Sequence, residues 1–191
     1  MFLLNRPDES RIRQILAGQR ESPLSYPEVG ATQDELPRGY AVLRGRIDLG
    51  HGAIAFAKAA HALLRWKMFE VPGIQLCWPN TPIQPGESVA VLVKHFGFCS
   101  LNCCRIVYLV DEDGPVRRFG FAYGTLIEHA EQGEERFCVD WHRDSNVVGY
   151  EILSFSRARS VMAKAGYPLA RLLQKRFLRD SLAAIGKAVA G

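Results

Sequence analysis

The sequence predicts an α+β fold in which a curved antiparallel sheet of about seven strands wraps around one long C-terminal helix. Segments that alternate apolar and polar residues follow one another with short turns between them, which is typical of an antiparallel meander. A long amphipathic helical segment then ends the chain. An antiparallel sheet must bury one face, and no other helical segment is long enough to cover it. We therefore expect a helix-grip arrangement with space between sheet and helix.

Residues 1–38 are expected to form an extension that packs across a domain formed by residues 39–191. Residues 7–18 predict a short helix, which Asp8 or Ser10 caps and Gly18 ends. The following "ESPLSYPEVGATQDELPRG" contains three prolines and predicts an extended loop.

The remaining elements follow in chain order. "GYAVLRGRIDLG" predicts a strand, and the Ala-rich segment after it predicts a helix from about Ala53 to Trp66. Six further strands are predicted at "GIQLCW", "ESVAVLVKH", "SLNCCRIVYLVDE", "RRFGFAYGTL", "EERFCVDWH" and "NVVGYEILSFSR". In the last segment Gly166 is expected to end a short helical piece, and Pro168 to lie in the first turn of the long helix. The predicted apolar stripe of that helix comprises Leu169, Leu172, Leu173, Phe177, Leu182 and Ile185.

The composition indicates a globular protein without a membrane-spanning segment. Hydrophobic residues make up 48% of the 191 residues and charged residues 23%, and the net charge is +4. Five cysteines without a regular spacing favour free thiols in a reducing compartment. The apolar run in "MFLLNRPDES" is too short for a secretory signal, and no stretch approaches the roughly 20 apolar residues of a membrane span. We therefore expect a cytoplasmic protein.

The strand "RRFGFAYGTL" has one face of large residues and one of very small residues. Phe119, Phe121 and Tyr123 share a face, whereas Gly120, Ala122 and Gly124 share the other. Such a strip of bare backbone indicates either sheet curvature with close packing, or a ligand lying over it.

The neighbouring strand "EERFCVDWH" predicts a carboxylate at the rim of the core. Glu135, Phe137 and Val139 form its apolar face, and Glu134 points the other way. Glu135 is a candidate handle for the polar end of a ligand. The alternative is a buried ion pair with Arg105, which the alternation of its own strand places beside Cys103 and Val107.

A dinucleotide site is not favoured, although "LGHGAIAF" matches the glycine fingerprint with Gly50, Gly52 and Ala55, and Glu70 follows. A Rossmann fold needs further strand–helix–strand units, which the rest of the chain does not supply. We interpret the segment as a turn and a helix start, and expect no cofactor.

Metal and nucleic-acid sites are also not favoured. Cys99, Cys103 and Cys104 lie near His95, but adjacent cysteines on a strand point to opposite faces and no C-x-x-C pair is present. The basic residues Lys175, Arg176 and Arg179 lack an accompanying aromatic RNA-binding motif. We expect neither metal nor nucleic acid as a partner.

The motifs "SYPEVGAT", "FAYGTL" with His129, "GEERF" and "FSR" resemble a domain-of-unknown-function family, DUF1990 or UPF type, found in bacteria and plants. The resemblance covers nearly the whole chain and implies membership of the START-like, or SRPBCC, superfamily of helix-grip proteins, most of which bind hydrophobic small molecules. The motif positions are Tyr26, Glu28, Tyr123, Thr125, His129, Glu134, Glu135 and Arg157. Ala130 departs from the proline expected there, which leaves the position of His129 less constrained.

The predicted function is the binding of a small, largely apolar or amphipathic molecule, with an acidic head group as one option. The expected walls are Phe119, Phe121, Phe137, Val139 and Phe155, with Leu169, Leu173 and Phe177 opposite. Tyr123, Arg105 and Glu135 are expected to orient the polar end, and Tyr26 and Glu28 to form a lid. One alternative is a hydrolase or cyclase that uses Glu135, His129 and Tyr123. Another is a protein-interaction module whose core is filled by side chains.

Overall fold

A computed structural model describes residues 1–95, 97–159 and 167–191. Within these ranges, three helices and a short 3₁₀ turn at Lys67–Phe69 accompany one antiparallel sheet. The strands are β1 (Phe2–Leu3), β2 (Ala41–His51), β3 (Ile74–Leu76), β4 (Ser88–Lys94), β5 (Cys99–Glu112), β6 (Val116–Thr125), β7 (Glu131–His142) and β8 (Val147–Ala158). The helices are α1 (Glu9–Gly18), α2 (Gly52–Leu64) and α3 (Tyr167–Ala190).

The sheet is a meander with two long-range additions. Its order is β2-β8-β7-β6-β5-β4-β3, so the strands from β3 to β8 pair in sequence and β2 joins beside β8. The two-residue β1, which the residue pattern does not predict, pairs with the start of β5. Bulges interrupt β2 between Asp48 and Gly50, and β5 between Ile106 and Tyr108. Bulges bend strands and increase their twist. The antiparallel sheet, together with the long C-terminal helix, confirms the predicted helix-grip architecture.

The main core lies between one face of this sheet, here called the inner face, and the helices α2 and α3. It contains Phe121, Phe137 and Tyr150, which are fully buried, together with Leu182 and Ile185 of α3. The helix approaches β2 closely at Gly45, where an added Cβ would lie 2.9 Å from Leu178 Cδ1. The terminal helix therefore covers the inner face along its second half.

A second, smaller core lies on the opposite, outer face of the sheet. Ile12 and Ile15 of α1 pack there against Ala90, Leu92 and Leu101. The Asp8 carboxylate accepts a hydrogen bond of 2.7 Å from the Arg11 backbone N–H, which is the predicted N-cap. The N-terminal helix is thus attached to the outer face of β4 and β5.

Three details differ from the sequence-based expectation. The helix α2 ends at Leu64, because Trp66 adopts a left-handed backbone conformation with φ 55°. Leu169 and Leu172 of α3 are 60% and 64% exposed, so the buried stripe of that helix excludes them. The helical piece expected before Gly166 lies outside the described residues. In the part of the chain that the structure describes, no helix is both long and apolar enough to cross a membrane.

Candidate functional site

A cavity of about 310 Å³ lies between the inner face of the sheet and the first half of α3. Its apolar wall includes Phe69, Ile74 and Val91, with Leu173 and Phe177 on the helix side. Polar residues from β5, β6, β7, β8, α3 and the turn between β6 and β7, together with His95 after β4, complete the lining. A predominantly apolar cavity with a few convergent polar groups is typical of small-molecule sites.

The central polar feature of the cavity is a hydrogen bond between neighbouring strands. Tyr123 and Glu135 are directly paired residues of β6 and β7, and the Tyr123 hydroxyl donates to Glu135 Oε2 at 2.7 Å. Burial raises the pKa of Glu135 to about 7, although the hydrogen bond from Tyr123 acts in the opposite direction. Burial also raises the pKa of Tyr123 well above its ordinary value, so the phenol remains a donor at neutral pH.

Glu131 brings a second carboxyl group to the same cavity. Gln174 of α3 donates from Nε2 to Glu131 Oε2 at 2.5 Å and to Ser156 Oγ at 3.0 Å. The other carboxyl oxygen, Glu131 Oε1, is buried and has no hydrogen-bond partner among the described residues. Burial raises the pKa of Glu131 as well. Its unpaired oxygen is an acceptor that a ligand can satisfy.

The two histidines at the cavity are neutral at physiological pH. The backbone N–H of Glu131 donates to His129 Nδ1 at 3.0 Å, which holds the ring. Burial, together with the ammonium group of Met1, lowers the pKa of His129 to about 3. His95 Nε2 lies 2.9 Å from Ser100 Oγ, and burial lowers its pKa too. Neither ring supplies a positive charge near pH 7.

Glu134 has a different role from its neighbour Glu135, because its side chain lies on the outer face. Tyr26 Oη and the Gly30 backbone N–H donate to its Oε2, both at 2.7 Å. The Thr32 backbone N–H and hydroxyl donate to its Oε1 at 3.0 Å and 2.5 Å. This carboxylate is only 2% exposed and fixes the N-terminal loop to the sheet.

The small residue at Gly124 is explained by the same loop. A Cβ at Gly124 would lie 2.2 Å from Tyr26 Oη, so the tyrosine ring needs the bare backbone there. At Gly120 an added Cβ would lie 2.8 Å from Cys138 Cα of the neighbouring strand. The strip of small residues in β6 therefore allows close approach by the chain itself, rather than by a ligand.

Comparison with known proteins identifies the family. Residues 25–184 match the family described as "Domain of unknown function (DUF1990)". The chain belongs to this family. It is 39% identical to a UPF0548 protein of Dictyostelium discoideum, over 99% of this chain and 96% of that protein. It is 34% identical to a UPF0548 protein of Deinococcus radiodurans, over 94% of each. The expected family is confirmed, and it extends beyond bacteria and plants.

Two solved structures are also similar to this DUF1990 protein. A point mutant of norcoclaurine synthase from Thalictrum, solved with a transition-state analogue, has a TM-score of 0.49 and 12% identity, covering 82% of this chain and 98% of that one. The hypothetical protein jhp0584 from Helicobacter pylori has a TM-score of 0.47 and 16% identity, covering 86% and 96%.

The structure brings some of the expected site residues together at the cavity. Tyr123, Glu135, Leu173, Phe177 and His129 line it. Phe155 also borders it, but its ring makes edge contacts with Tyr26 and Tyr40, at centroid distances of 5.6 Å and 5.0 Å. The other expected wall residues, Phe119, Phe121, Phe137, Val139 and the exposed Leu169, are not part of the described lining.

The expected lid residues lie elsewhere. Tyr26 is held by Glu134 on the outer face, and Glu28 accepts a hydrogen bond of 2.7 Å from the Tyr40 hydroxyl. Neither residue belongs to the described cavity lining. The N-terminal loop packs on the outer face of the sheet, so the expectation that Tyr26 and Glu28 cover the cavity was wrong.

The expected pair between Arg105 and Glu135 does not form. Arg105 lies opposite Gly124 and so faces outward, whereas Cys104 and Ile106 of the same strand face the core. Its guanidinium donates to the backbone carbonyls of Ser22 at 2.9 Å, Gln19 at 3.0 Å and Arg20 at 2.6 Å. The expectation failed because the alternation of β5 was assigned to the wrong face.

Gln174 is a site residue that the sequence reasoning missed. Glu131 was considered only as one acid of a charged turn, which could supply acid–base groups but is more often solvated. The predicted strand began at Glu134, whereas β7 begins at Glu131. Continuing the alternation backwards from Glu135 through Gly133 places Glu131 on the inner face, so the signal was present. Gln174 faces the same cavity, directly after Leu173 and about one turn before Phe177.

Proposed function

We propose that this protein binds a small, largely apolar molecule between the sheet and α3, and that it does so in the cytoplasm. The observation that carries this proposal is the cavity of about 310 Å³ with its largely apolar wall. Ligand pockets in proteins range from about 300 to 1,000 Å³, so the cavity suits a compact ligand. The five cysteines are free thiols, in keeping with a reducing compartment.

The cavity also argues against a module whose core is filled by its own side chains. Protein interiors are close-packed, and voids larger than a water molecule are few in a domain. Here the apolar residues Phe69, Leu173 and Phe177 border open space. Maintaining such a space forfeits packing energy, which a bound apolar molecule restores.

Tyr123 and Glu135 are the residues that orient the polar end of the ligand in this proposal. They are hydrogen-bonded to each other at the cavity wall, and the half-buried Glu135 retains some exposed surface. Arg105 has no part in this role, because it is engaged on the outer face.

The same pair supports a second candidate function, acid–base catalysis in a hydrolase or cyclase. A carboxyl group with a pKa of about 7 exchanges protons readily near neutral pH, and Tyr123 supplies an adjacent donor. His129 contributes less, because its Nδ1 already accepts a hydrogen bond and its low pKa keeps it neutral.

The test of binding uses native and denaturing mass spectra together with a neutral apolar fluorophore, N-phenyl-1-naphthylamine. Wild-type protein purified without detergent should carry extra mass that denaturation removes, or should bind the fluorophore. Leu173→Trp should abolish both by filling the cavity. Leu169→Trp, on the exposed side of the same helix, should retain both. Wild-type protein that carries no ligand and does not bind the fluorophore would contradict the proposal.

The catalytic alternative is separated from binding by Glu135→Gln. If Glu135 is catalytic, the variant should retain the copurified molecule but no longer convert it during incubation, as followed by mass spectrometry. If Glu135 only orients the ligand, affinity alone should change.

A further inference from the structure

We propose that the cavity selects ligands whose polar end is an amine, held between the carboxyl groups of Glu131 and Glu135. This inference rests on the proposed binding function and adds the chemical class of the head group. It reverses the acidic head group that the sequence left as an option. Three properties of the cavity lead to it: unsatisfied acceptors, engaged donors, and no cationic side chain in its described lining.

The acceptors at this end of the cavity exceed the donors. Glu131 Oε1 is buried and unpaired, and Glu135 Oε1 accepts no hydrogen bond from the described residues. An unsatisfied buried acceptor destabilises the protein, and more so when it is charged. A head group that donates hydrogen bonds removes this cost.

Two side-chain donors beside these carboxyl groups, those of Tyr123 and Gln174, are already engaged. The Tyr123 hydroxyl donates its single proton to Glu135, and Gln174 Nε2 donates to both Glu131 and Ser156. An ammonium group carries three donors and no acceptor, which complements the arrangement. A ligand carboxylate would place further acceptors against acceptors.

The charge of the cavity also favours an amine head group over a carboxylate. Its described lining contains glutamates and neutral histidines but no lysine or arginine. Arg171 lies near Glu131, yet its guanidinium donates to Gln174 Oε1 at 2.7 Å and to the Val42 carbonyl at 3.3 Å. The third acid of the lining, Glu134, has its carboxylate bound on the outer face. An anionic ligand would therefore place a like charge beside two carboxyl groups, with no cationic side chain in the described lining to balance it.

The experiment compares three ligands that share one alkyl chain: octylamine, octanol and octanoate. Their dissociation constants are measured by calorimetry and by displacement of N-phenyl-1-naphthylamine at a pH of about 8, where octylamine is cationic and octanoate anionic. We expect octylamine to bind at least about tenfold more tightly than octanoate, which corresponds to about 1.4 kcal/mol. Glu135→Gln and Glu131→Gln should each reduce this preference, and the double variant should remove it.

Glu128→Gln is the matched control, because Glu128 is exposed in the turn before β7 and should leave the preference unchanged. Either single variant suffices if the other does not fold. Equal binding of the three ligands, or tighter binding of octanoate, would overturn the head-group inference and leave the binding function standing. Failure of all three ligands and of the fluorophore to bind, in protein that also carries no copurified molecule, would overturn both.

Discussion

Replacing Glu135 by Gln should change the pH dependence of folding stability by an amount set by the cavity. Burial raises the pKa of this carboxyl from 4.5 to about 7, so the folded protein retains the proton that the unfolded chain releases. The stabilisation that comes from keeping Glu135 protonated in the fold is therefore fully present below the unfolded-state pKa. It is lost as pH rises through about 7. Between about pH 5 and about pH 8 this loss corresponds to about 2.5 kcal/mol. Gln retains the acceptor for Tyr123 but has no proton to lose.

The measurement is urea unfolding of wild type and Glu135→Gln at those two pH values, without added ligand. Between the lower and the higher pH, the free energy of unfolding of the variant should rise by about 2.5 kcal/mol relative to that of wild type. The other groups around Glu135 are Tyr123, Tyr150 and Cys104, whose raised pKa values keep them protonated, and Glu131, which is present in both proteins. The exposed control Glu128→Gln should show no such pH-dependent gain. A stability difference between Glu135→Gln and wild type that stays constant across this pH range would refute the reasoning.

Two further predictions concern the loop on the outer face. Tyr26→Phe removes a hydrogen bond to the buried Glu134 carboxylate and should lower the free energy of unfolding in urea by about 1.5–3 kcal/mol. The control is Tyr40→Phe, whose ring is less buried. A loss for Tyr26→Phe no larger than that for Tyr40→Phe would count against this role. Gly124→Ala places a Cβ 2.2 Å from the Tyr26 hydroxyl oxygen and should speed hydrogen exchange in residues 24–32. The control is Gly114→Ala, where a Cβ meets nothing within 4 Å, and equal exchange in the two variants would contradict the prediction.

The strand order and the terminal helix were predictable because they depend on local patterns. Alternation marks the strands from β4 to β8, and short turns between them imply antiparallel neighbours. The same alternation placed Tyr123 and Glu135 on the inner face, where they meet at 2.7 Å. When two adjacent strands both show clear alternation, the sequence can predict which of their residues share a face.

The outer-face contacts were not predictable in this way. Tyr26 and Glu134 are separated by 108 positions, and no local pattern indicates that a loop tyrosine reaches a strand carboxylate. Arg105 shows a different limit, since alternation identifies two faces of a strand but does not say which is buried. β5 has buried residues on both faces, such as Cys103 and Cys104, so its burial pattern did not decide between them.

Glu134 and Glu135 are consecutive residues whose loss would have similar outward effects for different reasons. Loss of Glu134 would release the N-terminal loop, whereas loss of Glu135 would alter the cavity wall directly. A genetic screen that scores only function in cells would therefore not distinguish the two positions, and defects at both would suggest a two-carboxylate centre. Pairing each score with the amount of folded protein would separate them, since loss of Glu134 should lower that amount whereas loss of Glu135 should not.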